Sequence, residues 1–406
     1  CMATSKDPGQ LGLYGFRNRV DHSYTGLSIG TSLSVREPTL WDIAGASGLS
    51  SAVVGVPMTY PPKPLRGWLV SCFLTPSTQS GYTYPKTLRD EIATVAPDYR
   101  VDVEEFRTED KHGLLRQLYD VTSGHFRVVE HLMATKSWDL FWFVEMGTDR
   151  LYHGFWRYFA DDHRLFEPGN PFEQAALEYH VYLDQRIGAV LKHVDDDTLV
   201  LVVSDHGAAS MVGGIAINDW LIREGHLVLR RPAESPRRLT ADDVDWARTT
   251  AWGEGGYYGR IMLNVRGREP EGLVDPNEYE RVRDEIARGL ESLGDDQGQP
   301  MGTRALKPED VYRQVRGIPP DLIVYFGNLR WRSVGTVGNP GVHVFDNDTG
   351  PDDANHAEEG LLIIHDPWDP RPGELQGATL YDVAPTVLER LGLPVPADMI
   401  GRPLSW

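Results

Sequence analysis

Short apolar runs alternate along the chain with longer amphipathic stretches, which predicts strands separated by helices. Buried strands are predicted at 51–57, 67–74 and 138–146, where aliphatic and aromatic residues cluster. Residues 198–204 are almost continuously apolar, as expected for a strand covered on both faces, and 361–365 is a similar run. Strands separated by helices imply an α/β fold, with a mainly parallel sheet and helices on both faces.

Two of the intervening stretches carry clear helical signals. Residues 380–391 read as a helix because the apolar spacing stops at Gly392. Residues 172–194 have helical spacing, with four apolar residues expected on one side: Leu177, Val181, Ile187 and Val190.

The segment 215–342 departs from this alternation. It contains a proline- and arginine-rich stretch, a glycine- and tyrosine-rich stretch and a charged helix at 276–293. We predict that it is an α+β subdomain inserted into the core and that the chain returns to the core sheet near 321–326. The core then comprises residues 1–214 and 343–406.

Composition narrows the class of protein. The 406 residues include 40 Lys and Arg against 59 Asp and Glu, a net charge of −19. Such an acidic surface argues against a nucleic-acid polymer as partner, although bound cations would still permit an anionic substrate. The two cysteines, Cys1 and Cys72, cannot build a disulfide framework and fit a cytoplasmic protein. No apolar run is long enough to span a membrane.

Polar residues follow two of the predicted strands. Asp205 and His206 come directly after 198–204, at the strand end where ligands collect in open α/β sheets. The alternative is that Asp205 caps a following helix and that His206 is a loop residue. Asp149 follows 138–146, and His153 lies four residues later, so a helix here would put both on one face. The alternative for this pair is a helix cap and a surface histidine.

Two histidines of a late loop, His343 and His356, are uninformative when taken alone. Together with the two strand ends, however, His356 completes a set of carboxylates and imidazoles. Zinc favours such nitrogen and oxygen ligands, and two ions about 4 Å apart can clamp both the attacking and the leaving oxygen in phosphoryl transfer.

At this point the sequence resembles the alkaline-phosphatase superfamily, in its type I phosphodiesterase/nucleotide pyrophosphatase branch. The resemblance covers nearly the whole chain and rests on five motifs in the same order. Four match at each position cited: Asp149-x-x-x-His153, Ser204-Asp205-His206-Gly207, His356 ahead of Gly360, and Asp382-Val383-Ala384-Pro385-Thr386. The fifth, Thr4 to Gly12, is similar to Thr-Gly-x-x-Pro-x-x-His-Gly but has Ser5 and Leu11 in place of the glycine and the histidine.

The resemblance implies an alkaline-phosphatase-like core with two divalent metal ions, zinc being the family expectation and manganese or iron also compatible with these ligands. Asp149, His153 and His356 would hold one ion, and Asp205 and His206 would contribute to the other. The substrate would be a small phosphorylated molecule, with a nucleotide as one candidate.

The family completes the second metal site with an aspartate and a nucleophilic threonine or serine, and we expect both upstream of Cys1. The nucleophile is therefore unassigned within this chain. Sulfatases derive a formylglycine nucleophile from a cysteine followed by proline and arginine, whereas Met2 and Ala3 follow Cys1, so this reading is disfavoured.

The sequence is also compatible with other functions. They include a phosphomonoesterase, a phosphonate hydrolase, a mutase, and a catalytically silent binding or scaffold homologue. A core without its first strand would expose a sheet edge, for which association into a homo-oligomer is one remedy.

Three residues of the insertion are candidates for binding the substrate. Tyr257 and Tyr258 could stack on a base while Arg260 meets a phosphate. The alternative is that these side chains pack the insertion onto the core.

Overall fold

A computed structural model describes all residues, 1–406, as a mixed α/β protein. No helix combines the length and the apolar composition that crossing a bilayer requires. The α-helices are α1 (Pro8–Leu11), α2 (Leu40–Ala46), α3 (Leu88–Val95), α4 (Lys111–Thr135), α5 (Gly147–Phe159), α6 (Ala175–Val190), α7 (Ile217–Arg223), α8 (Tyr279–Glu291), α9 (Pro308–Val311) and α10 (Leu380–Arg390).

The strands are short and belong to several small sheets. They are β1 (Arg17–Arg19), β2 (Leu27–Ile29), β3 (Ser51–Val54), β4 (Gly67–Val70), β5 (Thr83–Tyr84), β6 (Leu140–Phe143), β7 (Val200–Val203), β8 (Gly207–Ser210), β9 (Gly213–Ala216), β10 (Arg237–Arg238), β11 (Ala251–Glu254), β12 (Gly259–Leu263), β13 (Arg304–Leu306), β14 (Leu322–Tyr325), β15 (Trp331–Val334), β16 (Thr336–Val337), β17 (His343–Val344), β18 (Ala354–Ala357) and β19 (Leu362–His365).

A parallel sheet with helices on both faces forms one part of the molecule. Strands β4, β3 and β6 lie side by side and parallel, and β5 adds an antiparallel edge. Successive residues of β3 face opposite sides: Val53 packs with α2 and α10, whereas Val54 packs with α3 and α4. This alternation buries β3 completely, because each face of the sheet has its own helical layer.

The sheet prediction holds only for part of the chain. Strand β7 pairs with β19 alone, and this pair is antiparallel, as is the β8–β18 pair. All four residues of β7 are half-exposed, so the prediction of a strand covered on both faces was wrong. Strand β6 is the outer strand of its sheet. Both β6 and β7 therefore have one edge without a strand partner.

Segment 215–342 builds its own antiparallel sheet, in the order β11–β12–β14–β13, next to helices α7 and α8. Its core of 22 buried residues is the largest apolar cluster of the molecule. Residues 321–326, expected to return to the core sheet, instead form β14 between β12 and β13. The apolar run is buried there because Leu322, Val324 and Phe326 pack into this core.

Helix α6 confirms the predicted helix but buries a different face. Leu177 and Val181 are 61% and 50% exposed, whereas Ala175, Ala176 and Tyr179 are buried. The Tyr179 hydroxyl lies 2.6 Å from Thr122 Oγ1 on α4, and α6 packs against α4 and α5. Burying a tyrosine with its hydroxyl paired is favourable, and this contact fixes the rotation of α6.

The buried His163 makes stability depend on pH. Burial, with Arg157 and Arg164 nearby, lowers the pKa of His163 from 6.5 to about 4. Between these two pH values the unfolded chain binds a proton that the folded protein does not. The free energy of unfolding that depends on a neutral His163 is therefore fully present above pH 6.5 and is lost as the pH falls towards 4. We expect His163→Asn, which can still accept the hydrogen bond from the Leu165 amide, to reduce the loss in melting temperature between pH 7.5 and pH 5.

Calorimetry at the two pH values measures this loss for the wild type and the variant. The same substitution at the exposed His193 is the control and should keep the wild-type loss. An unchanged loss in His163→Asn would show that His163 does not carry the effect.

Candidate metal centre

Helix α5 carries the first two candidate ligands. It begins at Gly147, shortly after β6 ends, and places Asp149 and His153 one turn apart on the same face. His153 Nε2 lies 3.4 Å from Asp149 Oδ1, and His153 is buried. The residue at the helix cap is Met146, not Asp149. The helix prediction is therefore confirmed, and the cap-plus-surface-histidine alternative is wrong.

His356 reaches the same point from β18, whose antiparallel partner is β8. Its Nε2 lies 3.9 Å from Asp149 Oδ1. One ligand atom from each of Asp149, His153 and His356 can be chosen so that all three lie within 4.8 Å of one another. One carboxylate oxygen and two imidazole nitrogens at this spacing fit a divalent cation such as zinc.

Asp205 and His206 lie beside this cluster, after β7. A strand, β8, follows them, so the alternative in which Asp205 caps a helix is wrong. The His206 ring stacks on the His356 ring, with 3.9 Å between centroids. The Asp205 side chain is 68% exposed, and its Oδ1 lies 3.7 Å from His206 Nε2. The pair therefore offers two potential metal-ligand atoms, a carboxylate oxygen and an imidazole nitrogen, at the solvent-exposed side of the site.

The three clustered side chains differ in charge. Burial opposes a charged His153, but hydrogen bonds to Asp149 and Asp352 outweigh it and raise the pKa of His153 to about 9. Burial would raise the pKa of Asp149, but the hydrogen bond and positive charge of His153 hold it well below its usual range. Burial, with His206 and His153 nearby, lowers the pKa of His356 to about 3. His356 is therefore a neutral imidazole, the form that binds a metal.

Only one of the three candidates from the insertion reaches the site. The Tyr257 ring stacks on His153, with 4.8 Å between centroids, and lies 4.5 Å from the His356 ring. The Tyr258 hydroxyl instead donates to the Tyr14 carbonyl. Arg260 donates to the Arg17 carbonyl and pairs with Glu254. For Tyr258 and Arg260 the packing alternative describes the observed contacts.

His343, the other histidine of the late loop, lies away from the cluster. Its Nε2 is 2.8 Å from the Gly294 carbonyl, and its ring contacts Trp331.

Two residues of the site have no counterpart among the sequence candidates. Asp352 Oδ1 lies 2.8 Å from His153 Nδ1, and the Asp352 side chain is fully buried. Arg107 Nε donates to the other oxygen of Asp352 at 2.9 Å. The one available signal was the acidic pair Asp352-Asp353, a few residues before His356.

Two solved structures resemble most of the chain. Phosphonoacetate hydrolase from Sinorhizobium meliloti, in complex with phosphonoacetate, is 14% identical with a TM-score of 0.50, covering 89% of this chain and 76% of that one. Murine ectonucleotide pyrophosphatase/phosphodiesterase 5 is 12% identical with a TM-score of 0.49, covering 97% of this chain and 83% of that one. At such identities, the phosphonoacetate hydrolase match shows a shared fold alone. No curated protein matches the sequence.

A family model gives the stronger result. The model for type I phosphodiesterase / nucleotide pyrophosphatase matches residues 1–357, most of the chain. The matched region contains Asp149, His153, Asp205, His206 and His356. Members of this family are hydrolases, and the match confirms the resemblance that the motifs indicated. The chain belongs to the type I phosphodiesterase/nucleotide pyrophosphatase family.

Proposed function

We propose that this protein uses two divalent metal ions to hydrolyse phosphodiester or phosphoanhydride bonds in small phosphorylated substrates. The observation that carries the proposal is the convergence of Asp149, His153 and His356, whose ligand atoms lie within 4.8 Å of one another. These residues come from a helix and a strand far apart in sequence, and structural packing alone does not require such a set.

The chain's own residues divide into two groups. Asp149, His153 and His356 would hold the first ion, most readily Zn²⁺, with Mn²⁺ or iron as alternatives. Asp205 and His206 would supply two ligands to the second. When bound, such ions supply Lewis-acid stabilisation of charge on phosphoryl oxygens and activation of a hydroxyl nucleophile.

We place the nucleophile, a threonine or serine, and the remaining carboxylate ligand in a segment N-terminal to Cys1. No serine or threonine hydroxyl hydrogen-bonds any of the five candidate ligands. Strands β6 and β7 each have an open edge, and their carboxyl ends lead into Asp149 and into Asp205 and His206. A strand that pairs with either edge can deliver residues to this site, because ligands collect at strand ends.

We propose that Tyr257 lines the metal site and does not bind the substrate base. Its ring already packs against His153 and His356, so it is less suited to stacking on a base. A nucleotide therefore stays one candidate substrate among small phosphate esters. We also propose a cytoplasmic location, supported by two cysteines that are both free. Association into a homo-oligomer through the open strand edges is the alternative if no N-terminal strand covers them.

The proposal is tested on the full-length protein encoded by the gene. Loaded with Zn²⁺ or Mn²⁺, it should release nitrophenol from bis-nitrophenyl phosphate, and a chelator should stop the release reversibly. Hydrolysis of nitrophenyl phosphate tests the phosphomonoesterase alternative, and hydrolysis of a phosphonate ester tests the phosphonate hydrolase alternative. If two ions bind and none of these esters is hydrolysed, the proposal fails, and a mutase or a binding homologue is left.

His206→Phe tests the requirement for two ions. Phenylalanine keeps a ring to stack on His356 but removes the ligand nitrogen. We expect metal analysis of the full-length variant to give one tightly bound ion per chain instead of two, with loss of turnover. His343→Phe, outside the site, should keep both ions. Two ions in His206→Phe would exclude His206 as a ligand.

A further inference from the structure

We infer that Asp352 is a positioning residue that holds the His153 ring with its Nε2 turned towards Asp149 and the cation site. This inference rests on the proposed function, because it concerns how one of the proposed metal ligands is oriented. Asp352 Oδ1 lies 2.8 Å from His153 Nδ1, while His153 Nε2 lies 3.4 Å from Asp149 Oδ1. An imidazole that donates one N–H to a carboxylate is fixed in rotation and leaves its other nitrogen for a cation.

The environment of Asp352 suits this role. Its side chain is fully buried, so water does not compete for the contact with His153. Its second oxygen accepts hydrogen bonds from Arg107 Nε at 2.9 Å and from the Tyr257 hydroxyl at 3.2 Å. Arg107 also donates to the Tyr257 hydroxyl at 2.7 Å. Because both oxygens are engaged from different directions, the plane of the carboxylate is fixed.

The neighbouring backbone reinforces the alignment. The Asp353 amide donates to the His153 carbonyl at 2.8 Å, so residues 352 and 353 hold His153 by both its ring and its main chain. The same short segment leads directly into β18, which carries His356. The segment therefore fixes the position of β18 relative to α5, and with it the position of the His356 imidazole relative to that of His153.

Asp353 provides a matched control. It is also buried and also contacts α5, where its Oδ1 accepts a hydrogen bond from Arg157 Nε at 2.7 Å. Its carboxylate contacts no candidate ligand side chain. A variant at Asp353 therefore reports what the loss of a buried charge between α5 and this segment does to the fold, without disturbing the contact to the His153 ring.

The test measures Co²⁺ affinity by titration and records the visible absorption of the bound Co²⁺, with the melting temperature of the metal-free protein as the measure of folding. In the full-length protein, Asp352→Asn keeps an acceptor oxygen but no charge, and Asp352→Ala keeps neither. We expect Asp352→Ala to bind Co²⁺ about 10- to 100-fold more weakly than the wild type, with an altered absorption spectrum, and Asp352→Asn to fall between the two. Asp353→Asn should keep wild-type affinity and spectrum even where its melting temperature falls.

Each other outcome has a definite meaning. Wild-type affinity and spectrum in a folded Asp352→Ala protein would overturn the inference and leave the proposed function intact. Equal weakening by Asp353→Asn and Asp352→Asn would also overturn it, because the effect would then be structural. If the wild-type protein binds no Co²⁺, the proposed function is wrong, and the inference falls with it.

Discussion

Replacing His356 with alanine is expected to weaken binding of the first divalent ion by about two to three orders of magnitude. The estimate follows from apparent binding free energies of about 10–16 kcal/mol shared among four ligands in structural zinc sites. His356 is one of only three clustered ligands, and it is already a neutral imidazole, so no proton has to leave before it binds. Titration with Zn²⁺ against a competing chelator measures the affinity.

His343→Ala is the control for this experiment. His343 lies in the same late segment but contacts the Gly294 carbonyl instead of the cluster, so the variant should bind Zn²⁺ like the wild type. Circular dichroism establishes that both variants are folded. Unchanged Zn²⁺ affinity in a folded His356→Ala protein would show that the Asp149/His153/His356 cluster is not the metal site.

Phe155→Ala is expected to lower the free energy of unfolding by about 3–5 kcal/mol. Phe155 lies on α5, six residues beyond Asp149, and its side chain is fully buried. It packs edge-to-face against Phe172, with 5.4 Å between ring centroids. Removing it leaves a cavity beneath the helix that carries two candidate ligands, and urea unfolding followed by circular dichroism measures the loss.

Two further variants calibrate this effect. Phe155→Leu keeps most of the buried volume and should cost much less than Phe155→Ala. Phe16→Ala removes a phenylalanine that is 51% exposed, and we expect a change of at most about 0.5 kcal/mol. A loss below about 1 kcal/mol in Phe155→Ala would mean that the core under α5 collapses into the space, contrary to close packing.

The parts of the site that could be predicted from sequence are those fixed by local periodicity. Asp149 and His153 are four residues apart after an apolar run, and a helix puts such a pair on one face wherever the helix lies. Strand β3 was also predictable, because a strand buried on both faces requires a continuous apolar run.

The predictions that were wrong, and the residues that were missed, concern contacts between residues far apart in sequence. Nothing near Asp352 indicates that it contacts His153, since 199 residues separate them. The exposed face of α6 was misjudged because the deciding contact is between Tyr179 and Thr122 on another helix. Strand β14 was assigned to the wrong sheet for the same reason, since an apolar run predicts burial but does not name its neighbours.

The order of the proposed ligands along the chain has a consequence for folding. His153 lies before segment 215–342 and His356 after it, so a cation held by both would close a loop of roughly 200 residues. Binding the cation in the unfolded chain would require closing so long a loop, so the cation would bind the folded state selectively and stabilise it by RT ln(1 + C/Kd), where C is the free cation concentration. The cation would then connect the parts of the chain on either side of segment 215–342. A chelator would lower the free energy of unfolding as well as stop catalysis.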